Sequence, residues 1–253
     1  HESRKIKEVN TGIYVVESDL LNEFLPLIQS RNAQGEFYFT DIVSLAVEAG
    51  NRVDAISTST RLAFGVNTQG ELAMATALAY QKKIEKLMEE GVVVMDPKTA
   101  YVEESVEIAA GSTLFPSVFL RGTTKIGAMC VIEPGSFIVD CTIGDGVHVK
   151  AGSYLESSVI GARSEIGPYA HLRPESQIGE DCKVGNFVEM KKVKFGNKAK
   201  ASHLSYIGDA EVGEGSNIGC GTITCNYAVD KKKYMTKIGK NVFVGSDTQF
   251  IAP

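Results

Sequence analysis

The 253-residue sequence has no tryptophan, seven prolines, five cysteines and no apolar run approaching 18 residues. The last absence excludes a transmembrane helix. Cys130, Cys141, Cys182, Cys220 and Cys225 form no CxxC pair and no even-numbered framework. They fit a reducing cytoplasm better than a disulfide scaffold. Positive charge is not in excess: 26 Lys and Arg face 31 Asp and Glu, for a net charge of −5. That balance argues against a general nucleic-acid binder. No signal-peptide pattern is present, and the chain opens at His1 rather than Met, in a segment that reads as mid-domain. It is therefore expected to be part of a longer protein. What remains is globular: 43% apolar residues can bury one or two cores, and 23% charged residues give no reason to expect long disorder.

Composition divides the chain near residue 97. Before it, Ile13–Val16 reads as a short strand. Ser18 is placed to cap a helix carrying Leu20, Leu21, Phe24, Leu25 and Ile28. Thr40 or Asp41 starts a second helix, closed by Gly50. A third runs from about Glu71 to Glu90, with Gly91 at its end. Val92–Met95 then reads as a strand that Pro97 ends. Three helices and isolated strands look like the end of an α/β domain rather than a whole one.

After residue 97 the aliphatic residues recur every six positions, from Val102, Ile108 and Leu114 to Val212 and Ile218, with occasional rungs one residue short. Glycine often follows, as in Ile126-Gly127, Ile143-Gly144 and Ile160-Gly161. Four positions on, serine recurs at 112, 136, 153, 164 and 176. A period of six suits neither a helix nor an alternating meander. It suits a triangular parallel β-helix in which three hexapeptides make one coil. The aliphatic residues fill the core, glycine permits the turn, and coils stack about 4.8 Å apart.

Within that register, Arg173 and Lys191 each follow an aliphatic residue and lie eighteen residues apart, one above the other on one face. Stacked cations repel unless an anion bridges them, which suggests a phosphate; pairing with Glu175 and Glu189 is the plainer alternative. Asn186, His203 and Cys220 form a second column at seventeen-residue spacing. His203 is suited to act as a base near neutral pH. Residues 226–237 interrupt the beat and project as a loop carrying Lys231, Lys232 and Lys233.

The repeat resembles the hexapeptide-repeat acyltransferases, whose coils wind left-handed against the usual right-handed preference for crossovers. From residue 171 onward the likeness narrows. His171–Pro174, Val184–Lys192, His203–Ala210 and Asn217–Tyr227 resemble the bacterial family of bifunctional N-acetylglucosamine-1-phosphate uridylyltransferase / glucosamine-1-phosphate N-acetyltransferases. Glu8–Gly12, Asn32–Glu36 and Gly65–Asn67 resemble the closing portion of that family's nucleotidyltransferase domain. The resemblance implies a left-handed parallel β-helix over 97–253, incomplete at its C-terminus. Before it, residues 1–96 would be the C-terminal part of an α/β Rossmann-like nucleotidyltransferase domain with a linker helix.

The implied activity is acetyl transfer from acetyl-CoA to glucosamine-1-phosphate, coupled to uridylyl transfer from UTP, giving UDP-N-acetylglucosamine for cell-wall precursors. In that family the position of His203 is the base. Arg173, Lys191, Tyr206, Asn217 and Lys233 match positions that hold the sugar phosphate. Cys220, Asn226, Tyr227 and Ser246 match acetyl-CoA contacts. Cys220 stands where alanine is usual, so only a backbone contact carries over. Asn10 and Asn67 match nucleotide-binding positions, Asn67 also a Mg²⁺ ligand. A single neutral amide oxygen is too weak to hold Mg²⁺ alone.

The implied assembly is a cytoplasmic homotrimer. The family's glycine-rich phosphate loop and early metal-binding Asp are absent, so this chain alone is expected to lack uridylyl transfer and to acetylate poorly. Alternatives are a hexapeptide-repeat acyltransferase of another substrate and a non-catalytic β-helix assembly module. A zinc hydratase on this fold would need three converging imidazoles. Counting rungs puts His171 and His203 on one face two coils apart and His148 on another, which does not make such a site.

Overall fold

A computed structural model describes residues 8–30, 33–58 and 65–251; His1, Asn32 and Pro253 lie outside the described residues. Compact units divide at Ala75/Thr76. In the first, α1 (Ser18–Phe24) and α2 (Asp41–Glu48) bury Phe24, Ile28, Ile42 and Ala46 together, with Leu20, Leu21, Val43 and Leu45 packed against them. Ser18 proves to be the first helical residue: the cap position is Glu17, with no side-chain cap bond. Pro26 then tightens the chain into a 3₁₀ turn, Leu25–Leu27, so the helix is shorter than its apolar spacing suggested. Ile13–Val16 is not a strand; Ile13 and Val15 are exposed, and no neighbouring strand pairs with them among the described residues.

The third helix, α3 (Gln69–Glu89), begins with a capping box. The Glu71 amide donates to Thr68 Oγ1 (3.2 Å), and the Glu71 carboxylate accepts from the amides of Thr68 (2.7 Å) and Asn67 (2.8 Å). The Asn67 amide first, then the Thr68 hydroxyl and amide, hold the Glu71 carboxyl below its usual range. At the other end Gly91 adopts φ 91°. Val92 donates back to the Leu87 carbonyl (2.9 Å) and Gly91 to that of Met88 (3.1 Å), closing the helix as a Schellman motif.

From Val93 onward the chain winds into a parallel β-helix with three faces. The first carries nine rungs, from Val93–Val94 through Lys183–Asn186, Lys200–His203 and Asn217–Ile218 to Phe243–Val244. The second runs from Tyr101–Val102 through His171–Leu172 to Gln249–Ile251, the third from Glu107–Ile108 to Thr236–Ile238. Two seven-residue strands, Glu189–Phe195 and Tyr206–Val212, bend around the corner and join the second and third faces into one sheet.

Every aliphatic position of the repeat from Val102 to Ile218 is buried, in one continuous core. The recurring serines are buried beside it and donate to carbonyls: Ser112 to Gly127 (2.8 Å), Ser164 to Gly179 (2.9 Å), Ser176 to Arg173 (2.7 Å). A parallel coil can thus bury hydroxyls without stranding them. The exception among the described residues is Thr236 Oγ1, where the loop rejoins the coil.

Except for Gly167, which does take a left-handed φ of 95°, the glycines that follow the aliphatic residue play a different part from the one expected of them. Gly161 is not at positive φ; a Cβ there would lie 2.5 Å from the Gly179 carbonyl carbon of the next coil. Its lack of a side chain lets coils approach, while the turns are made by left-handed residues at the corners, such as Asp140, Ser157 and Glu175. Up the outside of the second face runs an aromatic ladder, Tyr101, Phe119, Phe137 and Tyr154, with His171 edge-on at its upper end. No helix among the described residues is long and apolar enough to cross a membrane.

Candidate active site

On the second face His171 registers with Glu189 and Leu172 with Met190, so Arg173 lies directly beneath Lys191. The Arg173 amide donates to the Met190 carbonyl at 2.8 Å. Its guanidinium Nη1 donates to Glu189 Oε1 at 2.8 Å, the plainer partner named from the sequence. Lys191 is different. Lys233 beside it, then Arg173, hold its ammonium below the usual lysine range, with Asp209 opposing them. Lys233 comes from the projecting loop, so a third cation joins the two that successive coils stack.

Tyr206 stacks above Glu189 on the same face. Its hydroxyl lies over Gly208, which registers with Lys191, in space a Cβ would fill. Gly208 interrupts a column of long side chains (Glu156, Arg173, Lys191), a signal present in the sequence that the repeat analysis passed over.

On the first face Asn186 registers with His203, and His203 Nδ1 lies 2.6 Å from Asn186 Oδ1. An amide oxygen only accepts, so Nδ1 is the donor in this contact, and in the neutral ring, which is exposed, Nε2 is then the nitrogen with the free lone pair. Cys220 continues the column, half-buried, and its carbonyl accepts from Asp247 at 2.7 Å. Because Ile218 registers with Val244, Ser246 stands over Cys220. Asn217 belongs to the same face, above Lys200.

The loop is a small hairpin. Tyr227 and Lys233 pair antiparallel, and Tyr234 donates to the Asn226 carbonyl at 2.9 Å. Asp230 accepts from the Tyr234 hydroxyl (2.6 Å) and the Lys232 amide (3.0 Å). These bonds, the phenol first, hold its carboxyl below the usual range, and the same contact raises Tyr234.

The structure brings Arg173, Lys191, Lys233 and Tyr206 together, and separately His203, Asn186, Cys220 and Ser246. The two groups lie on adjacent faces, joined through residues 204–207 with the corner at Leu204. His171 is on the second face, while His203 and His148 share the first. That corrects the rung count, because His171 precedes its core leucine on one face whereas His203 trails Ala201 on another.

In the first unit Asn10 is tied into its own turn, donating to the Tyr14 hydroxyl (2.5 Å) and accepting from Gly12 (3.0 Å). Asn67 gives its amide to Glu71. No three His, Cys, Asp or Glu side chains converge on a cation position among the described residues. A groove of ≈550 Å³ adjoins Arg173, lined by Tyr154, Glu156, Tyr169 and His171. A slightly larger one, ≈590 Å³, follows Gly179, Gly196, Gly213 and Gly239 on the third face, away from both groups.

A family model described as the GMPPB C-terminal domain matches residues 97–194. The bifunctional protein GlmU of Bdellovibrio bacteriovorus is 59% identical over 252 residues, covering 100% of this chain and 55% of that protein. GlmU of Geotalea uraniireducens is 46% identical over 99% of this chain and 55% of its own length. The structure of LpxA from Acinetobacter baumannii shares 15% identity at a TM-score of 0.38, over 63% of this chain and 67% of that one. The chain thus spans about half the length of the curated relatives it matches. Over its whole length it is similar in sequence to about half of the bifunctional GlmU proteins.

Proposed function

We propose that the β-helix transfers acetyl from acetyl-CoA to glucosamine-1-phosphate. The protein to which it belongs would also transfer uridylyl from UTP, giving UDP-N-acetylglucosamine. The observation that carries this reading is the crowding of Lys191 by Lys233 and Arg173. Three cations that disfavour one another become favourable partners once a dianionic phosphate lies among them.

The amine must attack the thioester as the neutral base, since an ammonium has no lone pair. His203 Nε2 takes the proton that the nitrogen sheds on acylation, and Nδ1–H toward Asn186 steadies the resulting imidazolium. The C–S bond breaks, and the departing CoA thiolate receives a proton in turn. Tyr206 and Asn217 suit the sugar hydroxyls. Asn226, Tyr227, Ser246 and the Cys220 backbone are assigned to acetyl-CoA. Asn10 and Asn67 remain assigned to the nucleotide of the other reaction.

Arg173→Ala is expected to raise KM for glucosamine-1-phosphate about tenfold, because it removes a charge-assisted contact made before the transition state. Turnover at saturation should change little. Steady-state kinetics read this split, and an unchanged KM would move the phosphate elsewhere.

The flat faces of the β-helix and the hairpin that projects from it support a homotrimer. Light scattering at micromolar concentration should give three times the 27.2 kDa chain mass; a monomer there contradicts the assembly. Five free cysteines support a cytoplasmic setting.

A further inference from the structure

At the corner between the second and third faces, successive coils place Asp140, Ser157, Glu175, Lys192 and Asp209, all with left-handed backbone. The first four are exposed; Asp209 is only 7% exposed. A carboxylate taken from water needs partners. Among the described residues Asp209 makes no ion pair within 4 Å; its Oδ2 accepts a hydrogen bond from Nδ2 of Asn226, itself 9% exposed. Asn226 is the residue at which the chain leaves the coil, and its carbonyl receives the Tyr234 amide that closes the hairpin. Seven residues later the same hairpin delivers Lys233 to Lys191.

We infer that Asp209 is a positioning residue: its carboxylate grips the Asn226 amide, fixing the root of the 226–235 hairpin so that Lys233 completes the anion site over Lys191. The inference rests on the acetyl-transfer reading only where kinetics are measured.

Lysine side-chain NMR on the 253-residue chain gives the decisive sign. Removing the negative charge of Asp209 by itself would lower the Lys191 titration further. Releasing Lys233 would raise it toward the ordinary lysine range. Asp209→Ala is expected to raise it, and an unchanged or lower value overturns the proposal. Asp209→Asn, which keeps an acceptor oxygen but loses the charge, should leave Lys191 at or below its wild-type titration; a rise like alanine's also overturns the proposal.

Asn226→Ala removes the same bond from the other side and should reproduce the upward shift. The double variant should be no worse than either single one, because the pair acts as a unit. Inorganic phosphate should bind Asp209→Ala about tenfold more weakly by calorimetry, and undiminished binding overturns the proposal. In the acetyl-transfer assay KM for glucosamine-1-phosphate should rise by about tenfold with kcat within about threefold. Wild-type protein that binds phosphate but transfers no acetyl would defeat the catalytic reading and leave the titration and phosphate results to judge Asp209.

Discussion

Replacing His203 with alanine is expected to lower kcat for acetyl transfer by about 10²–10⁴-fold, while KM for glucosamine-1-phosphate moves little. The expectation follows from two features on the first face. Nδ1 is committed to Asn186 at 2.6 Å, so the free nitrogen is the basic one. The imidazole also makes no hydrogen bond or ion pair with Arg173, Lys191 or Lys233 among the described contacts, so its loss should not disturb phosphate binding. Asn186→Leu should give a smaller loss than His203→Ala, because the base survives but its tautomer is no longer held. An alanine variant with undiminished turnover across pH 6–8 would remove His203 from the mechanism.

The largest stability effect is expected at Phe195. Its ring is 2% exposed and among the largest side chains fully inside the coil. It is stacked over Ile178 with Val212 on the next rung of the same face. Small residues share that coil, Ala199 and Ala201, both fully buried. The ring fills volume they leave open, so Phe195→Ala should leave a void that cannot collapse, at a cost of about 3–5 kcal/mol. Phe195→Leu should cost less than half as much. Urea unfolding followed by far-UV circular dichroism measures both. A loss below about 1 kcal/mol for alanine would mean that neighbouring coils close the gap.

How far the sequence could be read depended on what each residue answers to. A core position in the β-helix answers only to its own rung and the coils above and below, so the six-residue beat placed Val102 through Ile218 correctly inside. The same locality made the Asn186–His203 contact and the Arg173–Lys191 stack legible from spacing alone. His171 went to the wrong face because short rungs make the count slip, and one rung is a third of a turn. Gly161 was legible as a requirement but not as the right one: close approach of coils, not a turn.

Asp209 could not be found from the repeat. Its burial is imposed by the hairpin at Asn226, the one place where the beat stops carrying information. In the first unit Ile13–Val16 had the composition of a strand, but strands answer to partners, and composition supplies none. Pro26 was visible in the sequence and should have shortened the first helix there.

The last turns of α3 bury Ile84 and Leu87 in the same core as Val92, Ala100, Val102 and Val106, and Lys83 Nζ donates to the Glu104 carbonyl at 2.8 Å. They lie against the first coil. A parallel β-helix has no intrinsic stopping point, and a bare first coil offers unpaired amides and carbonyls to any extended chain that meets it. A helix cannot extend that ladder, so α3 makes the first coil sterile to end-to-end growth. Weakening the contact, as Leu87→Asp would, should produce fibrous aggregates that lengthen from this end, visible by electron microscopy.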